Sequence, residues 1–391
     1  MARILVTVPP LTGHLNPALA VACELERQGH ELAWAVHAEV LADKLPAHAR
    51  IYGLDDQAAF VLGTAAPQVR GLESVRVFFE DYALPMAKAA WPHLLRAAQD
   101  FQPDVMVVDH QMLAGALVAR YLGLPWVALT TTSASILRMS KTLDDWVGAQ
   151  LADLQQAVLP AQLIVERPDF SPYAQVVFSV RALLGEQVSI WPAPYHFVGP
   201  VQGSGRRPIE FPWSSLHPQL PLVLVSLGTV SRDRDTRFFS VMMEAARDLP
   251  LQMVMVAPEF LQAQAPANVL VRSYVPQIEL LDRAAAVICH AGHNTVCEAL
   301  ARGLPLGLAP IRDDQPVVAR QVIDAGAGLF MRHGKISAGE ARQVLLRLLS
   351  QADLRQAAEK LATLFAAAGG ERSAAALVLA QVPATLLETV A

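Results

Sequence analysis

The sequence is poor in the features that mark several large protein classes. Its 391 residues contain three cysteines, Cys23, Cys289 and Cys297, an odd number without framework spacing, which favours reduced thiols over a disulfide scaffold. No long basic run occurs and the formal net charge is −5 at pH 7, so a nucleic-acid partner is disfavoured. No stretch reaches the roughly 20 uncharged apolar residues of a membrane span, and the N-terminal apolar run is too short for a signal peptide. These absences predict a cytoplasmic globular protein without a transmembrane segment, and peripheral membrane contact stays open.

The loop after the first predicted strand also lacks a common nucleotide-binding motif. A nicotinamide-dependent oxidoreductase on a Rossmann fold requires Gly-x-Gly-x-x-Gly at this point. This chain has Pro-Pro-Leu-Thr-Gly-His-Leu-Asn-Pro instead. An oxidoreductase therefore ranks far below the other candidate functions.

The chain is rich in apolar residues, and their pattern predicts two α/β domains. Hydrophobic residues make up 53% of the sequence and charged residues 17%, and the chain is too long for one ordinary core. Strand-like and helix-like segments alternate, pause at a Gly- and Pro-rich stretch over 199–208, and then resume. We predict two doubly wound, Rossmann-like domains facing across a cleft: residues 1–200, a linker over 201–216, and residues 217–391. An alternative within this prediction is that the C-terminal helix packs on the first domain.

The first half contains a candidate acid–base pair. Asn16 and Pro17 suit the N-cap and the first position of a helix, which leaves His14 in the preceding loop. The positive end of that helix disfavours imidazolium and helps to keep His14 neutral, as a general base requires. Asp109 ends the predicted strand VMVVD at the same sheet edge, where a carboxylate can orient the imidazole. His110, next in sequence, is interpreted as a polar loop residue.

The second half has polar residues where one predicted strand meets a helix. His290 and Gly292 lie in the turn, and Asn294 or Thr295 opens the helix. Backbone N–H groups at such a helix start attract phosphate, and His290 adds a side-chain donor. Glu298 lies one turn further on the same face, where it can accept hydrogen bonds from a ribose. This arrangement favours a nucleotide ligand.

Two further strand ends carry polar groups of the same kind. Asp314 and Gln315 follow the next predicted strand, and their acceptor and amide groups suit the hydroxyls of a hexose. Ser226-Leu-Gly-Thr229 forms another strand-end turn with two hydroxyls and a glycine. Together these turns can hold a base, a ribose, a diphosphate and a sugar.

A zinc site is the alternative interpretation of the same region. Its candidate ligands are Cys289, His290, His293 and Cys297. Their spacing fits neither of the usual zinc-finger patterns, and buried thiols are favoured for the two cysteines.

The motifs resemble those of family 1 glycosyltransferases, the UDP-glycosyltransferases of the GT-B fold, and in particular bacterial enzymes that glycosylate macrolides, carotenoids and similar apolar molecules. The resemblance spans both halves of the chain in the order of the family. It is carried by Thr12-Gly-His14-Leu-Asn-Pro17, Ser226-Leu-Gly-Thr229, Tyr274-Val-Pro-Gln277, His290-x-Gly-x-Asn294-Thr295-x-x-Glu298 and Asp314-Gln315. Tyr274 stands where the family usually has Trp, which reduces the stacking area.

The resemblance implies a role for each matched residue. In the donor site, the diphosphate is expected to contact His290, Asn294, Thr295 and Ser226, and the ribose is expected to contact Glu298 and Gln277. The base is expected to contact Tyr274 and the backbone of Val275, and the sugar is expected to contact Asp314 and Gln315. Gly292 and Thr229 belong to the same motifs. The family also has a loop histidine as the base with an aspartate partner, which agrees with His14 and Asp109. It works without a bound metal, so neither a metal nor a cofactor is expected.

The prediction is therefore an inverting glycosyltransferase that moves a hexose, with glucose favoured, from a UDP-sugar to a hydroxyl of an apolar small molecule. Two ribose hydroxyls within reach of Glu298 favour UDP over dTDP, which has one fewer. Candidate acceptor-lining residues are Phe78, Phe79, Tyr82, Met86, Trp91, Met112, Met139 and Trp146. The alternatives are a dTDP-sugar-dependent antibiotic or lipid glycosyltransferase and a non-catalytic auxiliary partner of a glycosyltransferase. A sugar-nucleotide epimerase is less favoured by the spacing of Glu298 and Asp314.

Overall fold

The computed structural model describes residues 1–54, 72–185, 188–201, 203, 208–228 and 236–384. The chain divides into two compact units. The first consists of Met1–Phe178, Val188–Arg206 and Ala368–Ala391, and the second of Ser179–Gln187 and Arg207–Ala367. Each unit contains one parallel sheet flanked by helices, which confirms the predicted α/β class. The predicted domains were contiguous apart from the C-terminal helix, whereas in the structure Ser179–Gln187 also groups with the second unit.

The first unit is built on a seven-stranded sheet in the order β3-β2-β1-β4-β5-β6-β7, with all neighbours parallel. The strands are β1 Arg3–Thr7, β2 Glu31–Val36, β3 Arg50–Gly53, β4 Val105–Asp109, β5 Trp126–Thr130, β6 Ala174–Val177 and β7 Tyr195–Phe197. The α-helices are Thr12–Arg27, Ala38–Leu41, Leu72–Val77, Leu84–Phe101, Leu113–Leu122, Lys141–Val158 and Gly370–Leu379. Short 3₁₀ helices are Ala42–Lys44, Ser133–Ile136 and Ala161–Leu163.

The second unit has a six-stranded parallel sheet in the order β10-β9-β8-β11-β12-β13. Its strands are β8 Leu222–Ser226, β9 Gln252–Val256, β10 Val269–Arg272, β11 Ala284–Cys289, β12 Leu306–Leu308 and β13 Gly328–Phe330. Its α-helices are Arg181–Leu184, Thr236–Ala246, Gln277–Leu281, His293–Leu300, Gln315–Asp324, Ala338–Ser350 and Ala352–Ala368, and its 3₁₀ helices are Trp213–Ser215 and Glu259–Gln264.

Helices on both faces explain why the central strands are apolar runs. Every residue of β4, β5 and β8 is buried, as expected of parallel strands covered on both sides. In the first unit the two faces of the sheet belong to separate apolar clusters, one containing Ile4 and the other Leu5. The sequence pattern predicts strands at VMVVD and at Glu31–Val36, and the structure confirms both residue for residue.

The first helix begins earlier than predicted. It runs from Thr12 to Arg27, with Leu11 at its N-cap and no side-chain cap, so Asn16 is not the cap and Pro17 lies inside the helix. The amides of His14 and Leu15 both donate to the Leu11 carbonyl, which closes the first turn without a capping side chain. The prediction of a loop over residues 9–15 is therefore wrong from Thr12 onwards and correct for residues 9–11. His14 is in the first helical turn, still at the positive end of the dipole.

The sequence pattern from Ser74 to Asp100 predicts one long helix or a helix pair, and the structure has three parts there. A helix Leu72–Val77 continues into π-helical turns over Phe78–Ala83 and then into the helix Leu84–Phe101. π-Helical insertions are rare and are found often at functional sites. The insertion turns the aromatic side chains that follow Val77 relative to a regular helix.

The C-terminal helix Gly370–Leu379 packs in the first unit. Ala374, Ala375 and Val378 join the apolar cluster that contains Leu15 and Leu19 of the first helix. The Gly370 amide donates to the Val198 carbonyl at 2.7 Å. Of the described residues, none forms a helix long and apolar enough to cross a bilayer.

Candidate active site

His14 and Asp109 form a hydrogen-bonded pair at the edge of the first sheet. His14 Nδ1 lies 2.8 Å from Asp109 Oδ2, although the two residues are 95 positions apart in sequence. The pairing of β1 with β4 brings the helix that follows β1 next to the end of β4. The Asp109 side chain has no exposed surface, whereas that of His14 is 13% exposed. Solvent and ligands therefore reach the histidine and not the carboxylate.

Asp109 is held in its ionised form. Burial by itself raises the pKa of this carboxyl. Its effect is outweighed by the charge and hydrogen bond of His14, the charge of His110 and the backbone N–H of Gln111. The pKa of Asp109 therefore lies below its usual value. The Gln111 amide donates to Oδ1 at 2.9 Å, which leaves Oδ2 for His14. Since an ionised carboxylate accepts only, His14 carries its proton on Nδ1. Nε2 then presents a lone pair, as a general base must.

Thr131 is a third member of this site that the sequence analysis did not identify. Its Oγ1 lies 2.9 Å from His14 Nδ1, across 117 positions of sequence. It follows β5, the strand next to β4 in the sheet. The available signal was the run of three threonines that begins at the last residue of β5, and nothing in it distinguishes the second one.

His110 lies beside the pair but is directed elsewhere. Its Nδ1 is 3.1 Å from the Leu129 carbonyl, and burial lowers the pKa of its imidazole. Ligand atoms of His14, Asp109 and His110 lie within 4.8 Å of one another, a grouping compatible with a metal ion. However, Nδ1 of each histidine already has a hydrogen-bond partner. The sequence Asp233-Arg234-Asp235 has the Asp-x-Asp pattern of a metal-binding motif and lies outside the described residues. The expected absence of a metal therefore stays a prediction.

In the second unit, the His290 imidazole occupies space left by two glycines. A Cβ atom at Gly228 would lie 2.7 Å from His290 Cε1, and one at Gly292 would lie 2.5 Å from Nε2. Any other residue at these positions would collide with the ring. Gly228 also has φ +75, which a side chain would disfavour. The glycines of both turns therefore make room for His290.

The helix after His290 starts earlier than both predicted positions, one residue before Asn294 and two before Thr295. It runs over His293–Leu300 with Gly292 at its N-cap, so Asn294 and Thr295 lie in its first turn. Ala291, between His290 and the cap, has φ 65, a left-handed conformation that costs a non-glycine residue roughly 1–2 kcal/mol. Such strain collects at functional sites.

His290 is uncharged near neutral pH. Burial lowers the pKa of its imidazole to about 4; the Ser226 carbonyl opposes this shift, and the charges of Arg312 and His333 add to it. Its contribution to binding an anion is therefore a hydrogen bond and not a full charge.

Glu298 and Gln277 meet, as their implied common role requires. Gln277 Nε2 donates to Glu298 Oε2 at 2.7 Å and lies 3.5 Å from Thr295 Oγ1. Gln277 opens the helix Gln277–Leu281, and Glu298 is 2% exposed. The amide thus fixes the orientation of a carboxylate at the sheet edge.

Gln315 has less freedom than the sequence suggested. Its Oε1 accepts hydrogen bonds from the backbone amides of Ile311 at 2.8 Å and Arg312 at 3.1 Å. Its side-chain NH₂ is left to face a ligand. Asp314 is the N-cap residue of the helix Gln315–Asp324 but makes no side-chain capping bond, so capping does not explain the carboxylate.

The remaining donor residues lie at neighbouring strand ends. Tyr274 follows β10 and is 60% exposed, whereas Val275 is buried. Ser226 ends β8 and is buried. Thr229 lies outside the described residues. An exposed ring at this position is compatible with stacking on a base.

The cysteines near this site are buried thiols. Burial raises the pKa of Cys289 to about 12 and raises that of Cys297 further. Cys297 Sγ lies 3.5 Å from His293 Nε2, inside the helix. All three cysteines of the chain are free.

Comparison with known proteins finds similarity to glycosyltransferases over almost the whole chain. Residues 242–372 match the family model of the C-terminal domain of erythromycin biosynthesis protein CIII-like proteins. An uncharacterized UDP-glucosyltransferase, YojK of Bacillus subtilis (strain 168), is 26% identical over 97% of both chains. A demethyllactenocin mycarosyltransferase of Streptomyces fradiae is 28% identical over 97% of this chain and 86% of its own. The spinosyn rhamnosyltransferase SpnG, solved with thymidine diphosphate, has the same fold, with a TM-score of 0.74, 22% identity and full coverage of both chains.

The chain is a GT-B glycosyltransferase of the natural-product type. The predicted family, fold class and enzyme class are thereby confirmed. The substrates of such an enzyme are a nucleotide-sugar donor and a small-molecule acceptor.

The acceptor-side candidates of this glycosyltransferase separate into two groups. Phe78 and Phe79 contact each other edge to face, with centroids 5.3 Å apart, and Phe79 also meets Trp146 at 5.9 Å. Tyr82 lies against Phe78, and its hydroxyl is buried without a hydrogen-bond partner among the described residues. Met86 and Met112 are fully buried core residues, Trp91 packs on Tyr121, and Met139 is 54% exposed. Phe78, Phe79 and Trp146 are partly exposed and are therefore the best candidates to line an apolar acceptor site, whereas Tyr82 is 1% exposed and packs beneath them as a core residue.

Proposed function

We propose that this glycosyltransferase transfers glucose from UDP-glucose to a hydroxyl group of an apolar small molecule, with inversion at the anomeric carbon and His14 as the general base. The observation that carries the proposal is the 2.8 Å contact between His14 Nδ1 and the buried, ionised Asp109. This contact gives the partly exposed imidazole a fixed orientation and a free Nε2 lone pair.

The reaction proceeds as a single displacement. His14 Nε2 takes the proton of the acceptor hydroxyl while the acceptor oxygen forms a bond to the anomeric carbon. The bond from that carbon to the diphosphate oxygen breaks, and UDP leaves with the electron pair. The imidazolium that forms at His14 is stabilised by Asp109 and needs no second proton transfer during the step. Attack opposite the leaving group converts an α-linked donor into a β-glycoside.

The donor is bound by the second unit in this proposal. Asn294, Thr295 and the His293–Leu300 helix start hold the diphosphate together with His290 and Ser226. Glu298, oriented by Gln277, accepts from the ribose hydroxyls, and Tyr274 stacks on uracil. Asp314 and the NH₂ of Gln315 bind the sugar. No metal and no cofactor enter this scheme, and the reaction takes place in the cytoplasm.

The test is UDP release from UDP-glucose in the presence of a panel of hydroxylated apolar aglycones, with products identified by mass spectrometry. Turnover that withstands a metal chelator, with a β-linked product, is the expected result. A protein that binds UDP-sugar but transfers to no aglycone, alone or with a partner, would instead fit the auxiliary function.

Sugar selection tests the role of Asp314. An axial hydroxyl at the end of the ring would leave a buried group unpaired, which costs roughly 1–3 kcal/mol, so UDP-glucose should be used better than UDP-galactose. Asp314→Ala should impair transfer far more than UDP affinity. Asp314 makes no side-chain capping bond, so the variant should lose no helix cap, and thermal unfolding of the variant checks this. An unchanged rate and preference in this variant would remove the sugar role.

A dTDP-sugar donor is the second candidate. The observation in its favour is that SpnG, of the same fold, was solved with thymidine diphosphate. The two nucleotides differ at the ribose 2′ position, which Glu298 is proposed to contact, and in the 5-methyl group of thymine. Competitive binding of UDP and dTDP to the wild type distinguishes them, and tighter binding of dTDP would select this second donor.

A further inference from the structure

Arg312 lies in the loop adjacent to His290. β11 and β12 are parallel neighbours with Cys289 paired to Leu308, so the loops that follow them leave the same edge of the sheet. His290 comes directly after β11, and Arg312 comes four residues after β12. Gln315 Oε1 holds this second loop through two backbone amides, one of them that of Arg312. These two hydrogen bonds hold the loop through its backbone and not through the Arg312 side chain.

The guanidinium of Arg312 is poorly paired for a group that is mostly buried. Its side chain is 14% exposed, and its Nε lies 3.3 Å from Asp313 Oδ2. Among the described residues this carboxylate is its ion-pair partner, and its two terminal nitrogens make no hydrogen bond there. A guanidinium has five N–H donors in a planar fork that matches two oxygens of a phosphate. The terminal nitrogens therefore offer an anion-binding face.

The neutral state of His290 leaves a charge to be balanced at this site. A nucleoside diphosphate carries more than one negative charge, and a helix start supplies about half an elementary charge. His290 supplies no full charge at neutral pH, because burial lowers its pKa to about 4. The charge of Arg312 reaches His290, which places the guanidinium within electrostatic range of the same group.

We propose that Arg312 is a diphosphate-binding residue, with its terminal nitrogens contacting the phosphate oxygens of the donor and Asp313 holding the fork in orientation. This role depends on the donor binding of the proposed function and adds a cation that the motif residues lack. Asp313 has φ 55, so the loop keeps a strained residue at the position that orients the fork. Because charge builds on the diphosphate as it leaves, Arg312 would stabilise the transition state as well as the bound donor.

The experiment measures binding of uridine, UMP and UDP to the wild type, Arg312→Ala and Arg312→Lys by calorimetry and displacement. We expect Arg312→Ala to weaken the binding of UDP by roughly 10- to 100-fold, that of UMP by less, and that of uridine hardly at all. The reason is that the variant loses charged hydrogen bonds only to ligands that carry phosphate. Arg312→Lys should lie between the wild type and Arg312→Ala, because an ammonium keeps the charge and loses the fork. The matched control is Arg320→Ala, which removes a 75% exposed arginine paired with Asp324 on the next helix and should bind all three ligands normally.

Two outcomes would overturn the inference while the proposed function stands. The first is that Arg312→Ala lowers the affinity for UDP by less than about threefold. The second is that it lowers the affinity for uridine as much as that for UDP, which would indicate a displaced loop. A wild type that binds neither UDP nor dTDP would overturn the donor assignment itself and this inference with it. Asp313→Asn sharpens the result, because UDP affinity should fall less than in Arg312→Ala if the aspartate only orients the guanidinium.

Discussion

The candidate base and the candidate donor site are assembled in opposite ways. His14 gains its partners Asp109 and Thr131 from 95 and 117 positions away, through the order of strands in a sheet. In the donor site, Gln277 meets Glu298 across 21 positions, and Gln315 binds an amide four positions away. A site made of local turns leaves a recognisable pattern in the sequence, whereas a site made of long-range contacts leaves isolated residues.

The two sites also use histidine differently. His14 is partly exposed and paired with an ionised carboxylate, so it can take up a proton and be stabilised in the charged form. His290 is enclosed between two glycines, and burial lowers its pKa to about 4, so it stays neutral. The structure therefore predicts a proton acceptor in the first unit and a neutral hydrogen-bonding group in the second.

The strongest test of this difference is His14→Ala. Removal of the base should lower the transfer rate by about 10²- to 10⁴-fold while UDP affinity stays at the wild-type value. Asp109→Asn should lose less, because the imidazole remains. Steady-state rates on an alcohol acceptor, together with calorimetry on UDP, give both numbers. Near-normal turnover by His14→Ala would remove the general-base role.

His290 should make the stability of the folded protein depend on mild acid. Its folded pKa of about 4 is below the ordinary 6.5, so the unfolded chain binds more protons between these values. Stability is then fully present above pH 6.5 and is lost as the pH falls towards 4, by up to about 3 kcal/mol. Urea unfolding of the ligand-free protein across this range should show a shallower pH dependence for His290→Gln. Equal slopes for the two proteins would contradict the neutral, buried state.

The space around His290 can be tested by Gly292→Ala. The added Cβ would lie 2.5 Å from Nε2, while φ −62 at this position imposes no backbone strain, so the effect is steric. We expect a loss of about 1–3 kcal/mol in unfolding free energy and weaker UDP binding. Gly339→Ala is the matched control, since nothing lies within 4 Å of its Cβ, and it should be neutral or stabilising by roughly 0.5–1 kcal/mol. Similar values for both variants would mean that the glycine does not shape the site.

The smallest effect is expected at the ribose. Glu298→Ala should weaken the binding of UDP by about tenfold and reduce the difference in affinity between UDP and dTDP, because the lost contact is to a hydroxyl that dTDP lacks. Glu279→Ala, an exposed carboxylate on the helix Gln277–Leu281, is the control and should leave both affinities unchanged. A wild type with equal affinity for the two nucleotides would exclude this role for Glu298.

The sequence by itself predicted most strands of the two sheets, but not the edge strands Arg50–Gly53 and Gly328–Phe330. It also predicted the donor motif. Apolar runs such as VMVVD specify strands buried on both faces, and the turn residues around His290 have fixed spacing because they serve one short loop. It did not determine where the first helix begins, because that turn is closed by the Leu11 carbonyl and not by a capping side chain that a pattern would reveal.

Only the tertiary structure decided which polar groups meet and in which state. Thr131 reaches His14 because β5 lies beside β4, and strand order is not written in any local pattern. The oxygen of Gln315 accepts hydrogen bonds within its own loop. Arg312 pairs through Nε with Asp313, and its terminal nitrogens make no hydrogen bond to any residue that the structure describes. Charge state depends on burial and on neighbours from distant segments, and both come into being only when the sheets are assembled.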